Sequence, residues 1–431
     1  MESLLTIFYF LLGCLFIYKW KFFQLELISR WWLISLFALK IIVAIGITYI
    51  YTYYYTQRDD ADIYNFFDDG AVMAQAFFDA PKDFFQMLIG FGADGPYFYE
   101  TYYDKMNFWD RAENTNLLSD THLMIRLNAV IHLFSFGNIM VHNVFFNFFS
   151  LIGVTAIFKV IKMYFHQLEK VMFLILALTP SFLFWGSGLL KESIIIFALG
   201  FLLLHLFNFQ KNTWIKNSLI IIGSFSLILF SKFFIAVTLV PAIIGYVFHR
   251  YFKWNLFTSY SLSLLIIFAI SLGMYFSNFY PNPIDVIINK QHDFMAYLEH
   301  SPAKSEIEQP IHQNLWDLIT YTPQALVNVF VRPFIWESYS IFTLFSVLEN
   351  MLFFIVLVTF LVLLKKSNVT TFFYFAISFS FTSAIIIGLI TPIMGAIVRY
   401  KIFSIVFLLL ALLSITDYIK ILKFFKRNFR R

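Results

Sequence analysis

Residues 31–63 read WWLISLFALKIIVAIGITYIYTYYYTQRDDADI: a long apolar run, then a collar of tyrosines, then carboxylates. The run over 31–55 carries one charged side chain, Lys40, and exceeds the roughly 20 apolar residues that a helix needs to cross about 30 Å of hydrocarbon. Tyr51, Tyr53, Tyr54 and Tyr55 are the amphipathic rings that settle at a membrane–water boundary. Beyond them, Arg58-Asp59-Asp60-Ala61-Asp62 must be in water or paired, because unpaired charge is costly in lipid. A helix that crosses a bilayer and emerges into an acidic loop is therefore the expected unit of construction.

The rest of the chain repeats that unit. Of 431 residues, 60% are hydrophobic and 13% charged, against about 25% charged in a typical soluble domain. So few charges cannot cover a watery surface, which excludes an ordinary cytosolic enzyme. Runs at 2–18, 31–55, 139–158, 171–187, 193–209, 217–231, 233–248, 255–277, 343–364, 370–390 and 401–419 predict an all-α polytopic membrane protein with about eleven spans. The first run has no basic leader and no small-residue cleavage site, so it is expected to be a retained helix. With the N-terminus outside and the C-terminus cytoplasmic, 18 of the 31 Lys and Arg residues fall in short cytoplasmic loops and the tail. These are Lys19, Lys21, Arg30, Lys159, Lys162, Lys170, Lys211, Lys216, Arg250, Lys253, Lys365, Lys366 and six between Lys420 and Arg431, as the positive-inside rule requires.

The chain is expected to form a single transmembrane domain over 1–431, with two long external loops at 56–138 and 278–342. Thirteen of the 26 acidic residues lie in 56–120. Ile63, Phe67, Ala71, Ala74, Phe77 and Phe78 recur at helical spacing, with Asp62, Asp69 and Gln75 on other faces. Met124, Leu127, Ile131 and Phe134 do the same, as do Ile284, Ile287, Ile288, Gln291, Met295 and Leu298. Amphipathic helices of this kind are expected to lie flat on the external membrane surface. The lone Cys14 excludes an internal disulfide or a cysteine-built metal site.

Four constellations could carry chemistry. Asp59, Asp60 and Asp62, crowded at a membrane exit, are candidate general bases, since desolvation and mutual repulsion raise a carboxyl group's pKa. The bland alternative is solvated acid at a helix end. The second is Pro180-Ser181-Phe182-Leu183-Phe184-Trp185-Gly186-Ser187-Gly188-Leu189-Leu190-Lys191-Glu192, expected at an external turn. Its glycines admit close backbone approach, and its Lys191–Glu192 pair is expensive near lipid unless solvated or used. The Gly-to-Lys spacing of a phosphate-binding loop is absent, so no nucleotide site is read here. The third and fourth are Arg332-Pro333-Phe334-Ile335-Trp336-Glu337 and Arg399-Tyr400-Lys401, external cations that run against the positive-inside bias. Arg can grip phosphoryl oxygens with a bidentate fork, while the alternative is an interfacial anchor. Lys40 is expected to snorkel if it has no function. His122, His132 and His142 lack metal-ligand spacing. No cofactor is called for, although Asp68-Asp69 offers the oxygen ligands a divalent cation takes.

A span ending in an external acidic motif, a long first external loop with amphipathic helices, further spans and a late external Arg399-Tyr400-Lys401 together resemble the GT-C superfamily of polyprenyl-phosphate-sugar-dependent glycosyltransferases. The chain is also similar in this way to O-antigen and exopolysaccharide polymerases. It departs from the family in its extra N-terminal span and in having no recognisable soluble periplasmic domain after the last helix. The resemblance implies an inverting transfer at the external face of a bacterial cytoplasmic (inner) membrane. Asp59 or Asp60 would take a proton from the acceptor hydroxyl, with Asp62 in support, while Arg399, Arg332 and Lys191 neutralise the departing lipid phosphate. The implied partners are a polyprenyl-phosphate-linked sugar donor, a glycan or lipid-linked acceptor and membrane lipids, with no nucleic acid. Two other classes are a transporter or lipid-linked glycan flippase, and a structural assembly component. A transporter would place ionisable or helix-breaking residues at mid-bilayer, of which the spans look nearly free.

Overall fold

The computed structural model describes residues 2–53, 57–109, 119–165, 168–300, 303, 305–337, 340–364 and 369–417. Tyr54, Tyr55, Asp110, Glu113, Lys365, Lys366 and the basic residues from Lys420 onward lie outside the described residues, as does the side chain of Asp60. Among the described residues the chain is helical, with β-pairing confined to isolated bridges. In chain order the helices are α1 (Glu2–Lys19), α2 (Arg30–Tyr53), α3 (Asp62–Asp79), α4 (Pro81–Ile89), α5 (Pro96–Thr101), α6 (His122–Ser135), α7 (Ile139–Tyr164), α8 (Glu169–Leu178) and α9 (Pro180–Trp185). There follow α10 (Lys191–Phe207), α11 (Trp214–Ser231), α12 (Phe233–Phe252), α13 (Leu256–Phe276), α14 (Pro283–His300), α15 (Leu315–Phe330), α16 (Ile341–Val362), α17 (Thr371–Ile390), α18 (Met394–Tyr400) and α19 (Ile402–Ser414).

Seven of these are long and apolar enough to cross a membrane, or eight if α18 and α19, bent by 46°, count as one span. That is the make-up of a polytopic membrane protein. The run expected as one span at 171–187 is broken, because Thr179 leaves the helical conformation ahead of Pro180. The run at 401–419 likewise begins inside a bent pair whose corner is Lys401.

Contacts group the chain into two compact units: Met1–Val160 with Leu183–Phe233, and Ile161–Phe182 with Phe234–Arg431. In the first unit, α7 is the most enclosed span, with 78% of its apolar window buried. It crosses α10 backbone to backbone, since a Cβ on Gly153 would strike the Ile196 carbonyl and one on Gly200 the Gly153 carbonyl. Helix directions follow from side-chain bonds. Asn138 donates to Thr6, Asn143 to Thr48, Lys191 pairs with Asp120, and Lys232 with Glu192. The start of α1, the end of α2, the starts of α7 and α10 and the end of α11 therefore share one end of the unit. At the other end, Lys159 lies over the Phe22 ring at 4.0 Å.

The helical pattern running from Ile63 to Phe78 is present as α3, but it is not a one-faced surface helix. Phe66, Phe67, Met73, Ala74 and Ala76 are all buried, as is Asp69 at 1% exposure, which corrects its expected outward placement. The reason is that α3 is covered from more than one direction. Gly70 rests on Asn128 of α6, while segment 107–108 donates two backbone amides to Asp69 at 2.8 Å each.

In the second unit, α17 packs on α15 and α19. Gly388 sits against the Ala325 carbonyl with no room for a side chain. Gln291, a member of the helical repeat of α14, is fully buried and holds the chain at 310–312 by donating to the Pro310 carbonyl and accepting from the His312 amide. Asn314 and Asp317 close a capping box at the start of α15. Ahead of it, Ile307 and Met394 exchange backbone bonds with Pro392 and Ser305, tying the second long loop to the link between α17 and α18.

Candidate functional site

Asp59 lies in a single 3-10 turn between α2 and α3, with its side chain exposed. The turn is fixed from below by Asn65, whose amide donates to the Asp59 carbonyl at 2.6 Å. Asn107 spans Asn65 (3.2 Å) and the Asp59 carboxylate (3.4 Å). Arg58 binds Asp68 through two nitrogens at 2.6 and 2.8 Å and lies over the Tyr64 ring. That hydrogen-bonded pairing with Asp68 holds the guanidinium above its ordinary pKa. Asp68 and Asp69 thus turn to different partners. Asp62 is half-buried in the first turn of α3, where the helix dipole favours a carboxylate.

Lys191 and Glu192 open α10 and do not pair with each other. Lys191 reaches Asp120 at 2.8 Å, and Glu192 reaches Lys232 at 2.6 Å with both partners almost wholly enclosed. The segment before them, expected as an external turn, goes deeper. The Gly186 carbonyl accepts from Lys40 and from Ser150, each at 2.7 Å. Lys40 is ten residues from the start of α2 and thirteen from its end, and Ser150 is eleven and fourteen residues from the ends of α7. Gly186 is therefore non-helical backbone near the middle of two spans, and 187–190 climb from it toward the start of α7, where Leu189 meets Asn143. Lys40 does not snorkel: it is 2% exposed and also donates to Ser187. The backbone of 186–190 is satisfied by side chains instead of a helix ladder. Asn147 accepts from the Gly188 amide, Asn143 accepts from the Leu189 amide, and Ser193 donates to the Gly188 carbonyl. Gly188 has φ +79 and lies against Asn143 and Ala44, so a side chain there would be strained and crowded.

In the second unit, the structure joins Arg332, Glu337 and Lys401. Glu337 accepts from Nε of Arg332 at 2.8 Å, from its Nη2 and from the Phe334 amide. Burial works to raise the Glu337 pKa, but the Arg332 and Phe334 bonds outweigh it and hold the carboxyl below its ordinary value. Lys401, at 2% exposure, donates to the Arg332 carbonyl and to Asn350, each at 2.9 Å. It positions the Arg332 backbone instead of facing solvent. Arg399 is half-buried on α18. Tyr400 packs against the rings of Phe234 and Phe294.

Asp59, Asp62, Lys191 and Glu192 thus belong to the first unit, and Arg332, Glu337, Arg399, Tyr400 and Lys401 to the second. Asp120, Lys232, Asn143, Asn147, Ser150 and Asn350 escaped the sequence reading. The spacing of Asn143, Asn147 and Ser150 along one face of an otherwise apolar span was the available signal. His132 and His142 pack on each other at 4.5 Å, and His142 is held by Asn128 and Ser135. Among the described residues no three His, Cys, Asp or Glu side chains gather as metal ligands. A surface hollow of about 550 Å³, lined by Asn212–Lys216 with Leu219 and Ile220, contains none of the candidate residues. No protein-family model matches the chain, and no curated protein or solved structure shows significant similarity to it.

Proposed function

We propose that this protein is a membrane glycosyltransferase of cell-surface polysaccharide synthesis. It moves a sugar or glycan from a polyprenyl-(pyro)phosphate carrier to an acceptor at the external face of the bacterial cytoplasmic membrane. The chain crosses the bilayer about eleven times, with its N-terminus outside and its C-terminus in the cytoplasm. Asp59 serves as general base, with Asp62 in support. Lys191 in the first unit and Arg332 and Arg399 in the second are the cations available to phosphate, and in the second unit Glu337 and Lys401 fix Arg332.

The observation that carries this reading is the contrast among neighbouring acids. Asp68 is occupied by Arg58 and Asp69 by two backbone amides, whereas the exposed Asp59 carboxylate accepts one long bond, from Asn107, among the described residues. It keeps lone pairs for a substrate hydroxyl. The shared end of the first unit supports the orientation, since Asp59, Asp120 and Lys191 lie there and Lys19, Lys21, Arg30, Lys159, Lys211 and Lys216 belong to the opposite end.

The test is complementation of a strain lacking this protein. Asp59→Asn, alone and with Asp60→Asn, should reach the membrane in normal amount and lower surface glycan by about 100-fold or more, the weight of a general base. Full glycan in the double variant would end the proposal. A second reading, a lipid-linked glycan flippase, is favoured by the non-helical backbone at Gly186 beside Lys40, a mid-span feature not expected from the sequence. Under that reading Lys40→Met leaves the lipid-linked glycan stranded on the cytoplasmic leaflet.

A further inference from the structure

The head of α10 carries two ion pairs of unlike accessibility. Glu192 and Lys232 are 0% and 4% exposed, a closed pair. Lys191 is 8% exposed, but its partner Asp120 keeps 33% of its side chain open. Lys191 also sits at the first position of a 17-residue helix, the end where the backbone dipole repels a cation. Its ammonium is packed 5.4 Å from the centre of the Phe66 ring. A cation so placed needs an anion at all times, because a buried charge without a partner is strongly destabilising. Asp120, just outside α6 and reachable from solvent, meets that need without being sealed in.

We infer that Asp120 is an exchangeable counter-ion: a phosphoryl group displaces its carboxylate from Lys191, so that the ammonium passes between anions without being left unpaired. A phosphate monoester brings about −1.5 to −2 charges and several acceptor oxygens, and is the stronger anion of the two. The displaced carboxylate swings toward the solvent it already touches. That this phosphate belongs to a carrier lipid rests on the glycosyltransferase reading, whereas the exchange itself is decided by binding alone.

The full chain in detergent is titrated with dodecyl phosphate, with inorganic phosphate and dodecanol as parallel probes. Lys191→Gln should weaken dodecyl phosphate binding by about ten- to a hundredfold, as loss of a charged hydrogen bond does. Lys191→Arg should restore most of it. Asp120→Asn should have the opposite sign and tighten binding severalfold, because the internal competitor is gone. Unchanged or weaker binding in Asp120→Asn overturns the exchange, as does an Asp120→Asn chain whose folding dodecyl phosphate fails to restore, and this variant retains Lys191, so the answer stands even if Lys191→Gln does not fold. Inorganic phosphate at least about tenfold weaker than dodecyl phosphate supports a lipid-borne ligand, and equal affinity supports exchange with a free anion. Dodecanol binding as well as dodecyl phosphate overturns the proposal. Binding with these signs in a chain that transfers no sugar would sink the enzyme reading and leave the exchange intact.

Discussion

Glu192 and Lys232 show how one residue's surroundings decide what its charge does. Their pair is taken almost wholly out of water, so the attraction between them has to offset the desolvation of both. Removing only one partner takes from the other the ion pair that offsets its burial. Glu192→Gln and Lys232→Met should each lower stability by about 3–5 kcal/mol, whereas the double change Glu192→Leu with Lys232→Met should cost little or even stabilise. Thermal melts of the detergent-solubilised single and double variants measure this. If the single variants melt with the wild type, the pair is neither as buried nor as coupled as its geometry says. The sequence showed that Lys191 and Glu192 were costly, but it suggested that they formed one pair. The true partners lie 71 residues before Lys191 and 40 residues after Glu192, and no local pattern encodes them.

At the scale of elements, lengths and periods were legible, and breaks and depth were less so. The span α2 and the amphipathic α14 follow from hydrophobic run length and helical spacing alone. The break at Thr179 was also within reach, since a residue before proline resists the helical conformation. The depth of Gly186 was not, because it is set by Lys40 and Ser150 on two other helices. The same holds for the short 3-10 turn Ile335–Glu337, whose place depends on Arg332 clasping Glu337. This turn has a pH signature. The folded pKa of Glu337 is below the ordinary 4.5, so its carboxylate stabilises the fold fully above about 4.5. That stability is lost as the pH falls through the lower folded value. Melts between pH 3 and 7 should therefore show wild type losing more stability than Glu337→Gln on acidification, with the two curves approaching each other at the acid end. Parallel curves would mean that the clasp contributes nothing to the fold.

At the scale of the whole molecule, composition made a polytopic helical protein legible, whereas the grouping of 161–182 with 234–431 was hidden, since it depends on tertiary contacts and not on order in the chain. What the proposed chemistry needs at this scale is orientation. A base that uses lipid-carried sugar outside the cell must be on the side opposite to the basic loops. The lone Cys14 makes this measurable, because its replacement by alanine leaves no other thiol in the chain. In that background, Asp94→Cys and Asn212→Cys probe the two ends of the first unit, and Glu308→Cys and Lys253→Cys do the same for the second, all at exposed positions. In intact spheroplasts a membrane-impermeant maleimide should label the 94 and 308 variants at once, and the 212 and 253 variants only after permeabilisation. Each unit is judged on its own pair. The reverse pattern in the first unit would put Asp59, Asp120 and Lys191 in the cytoplasm, where soluble activated sugars serve as donors, and an external carrier lipid could not be their substrate.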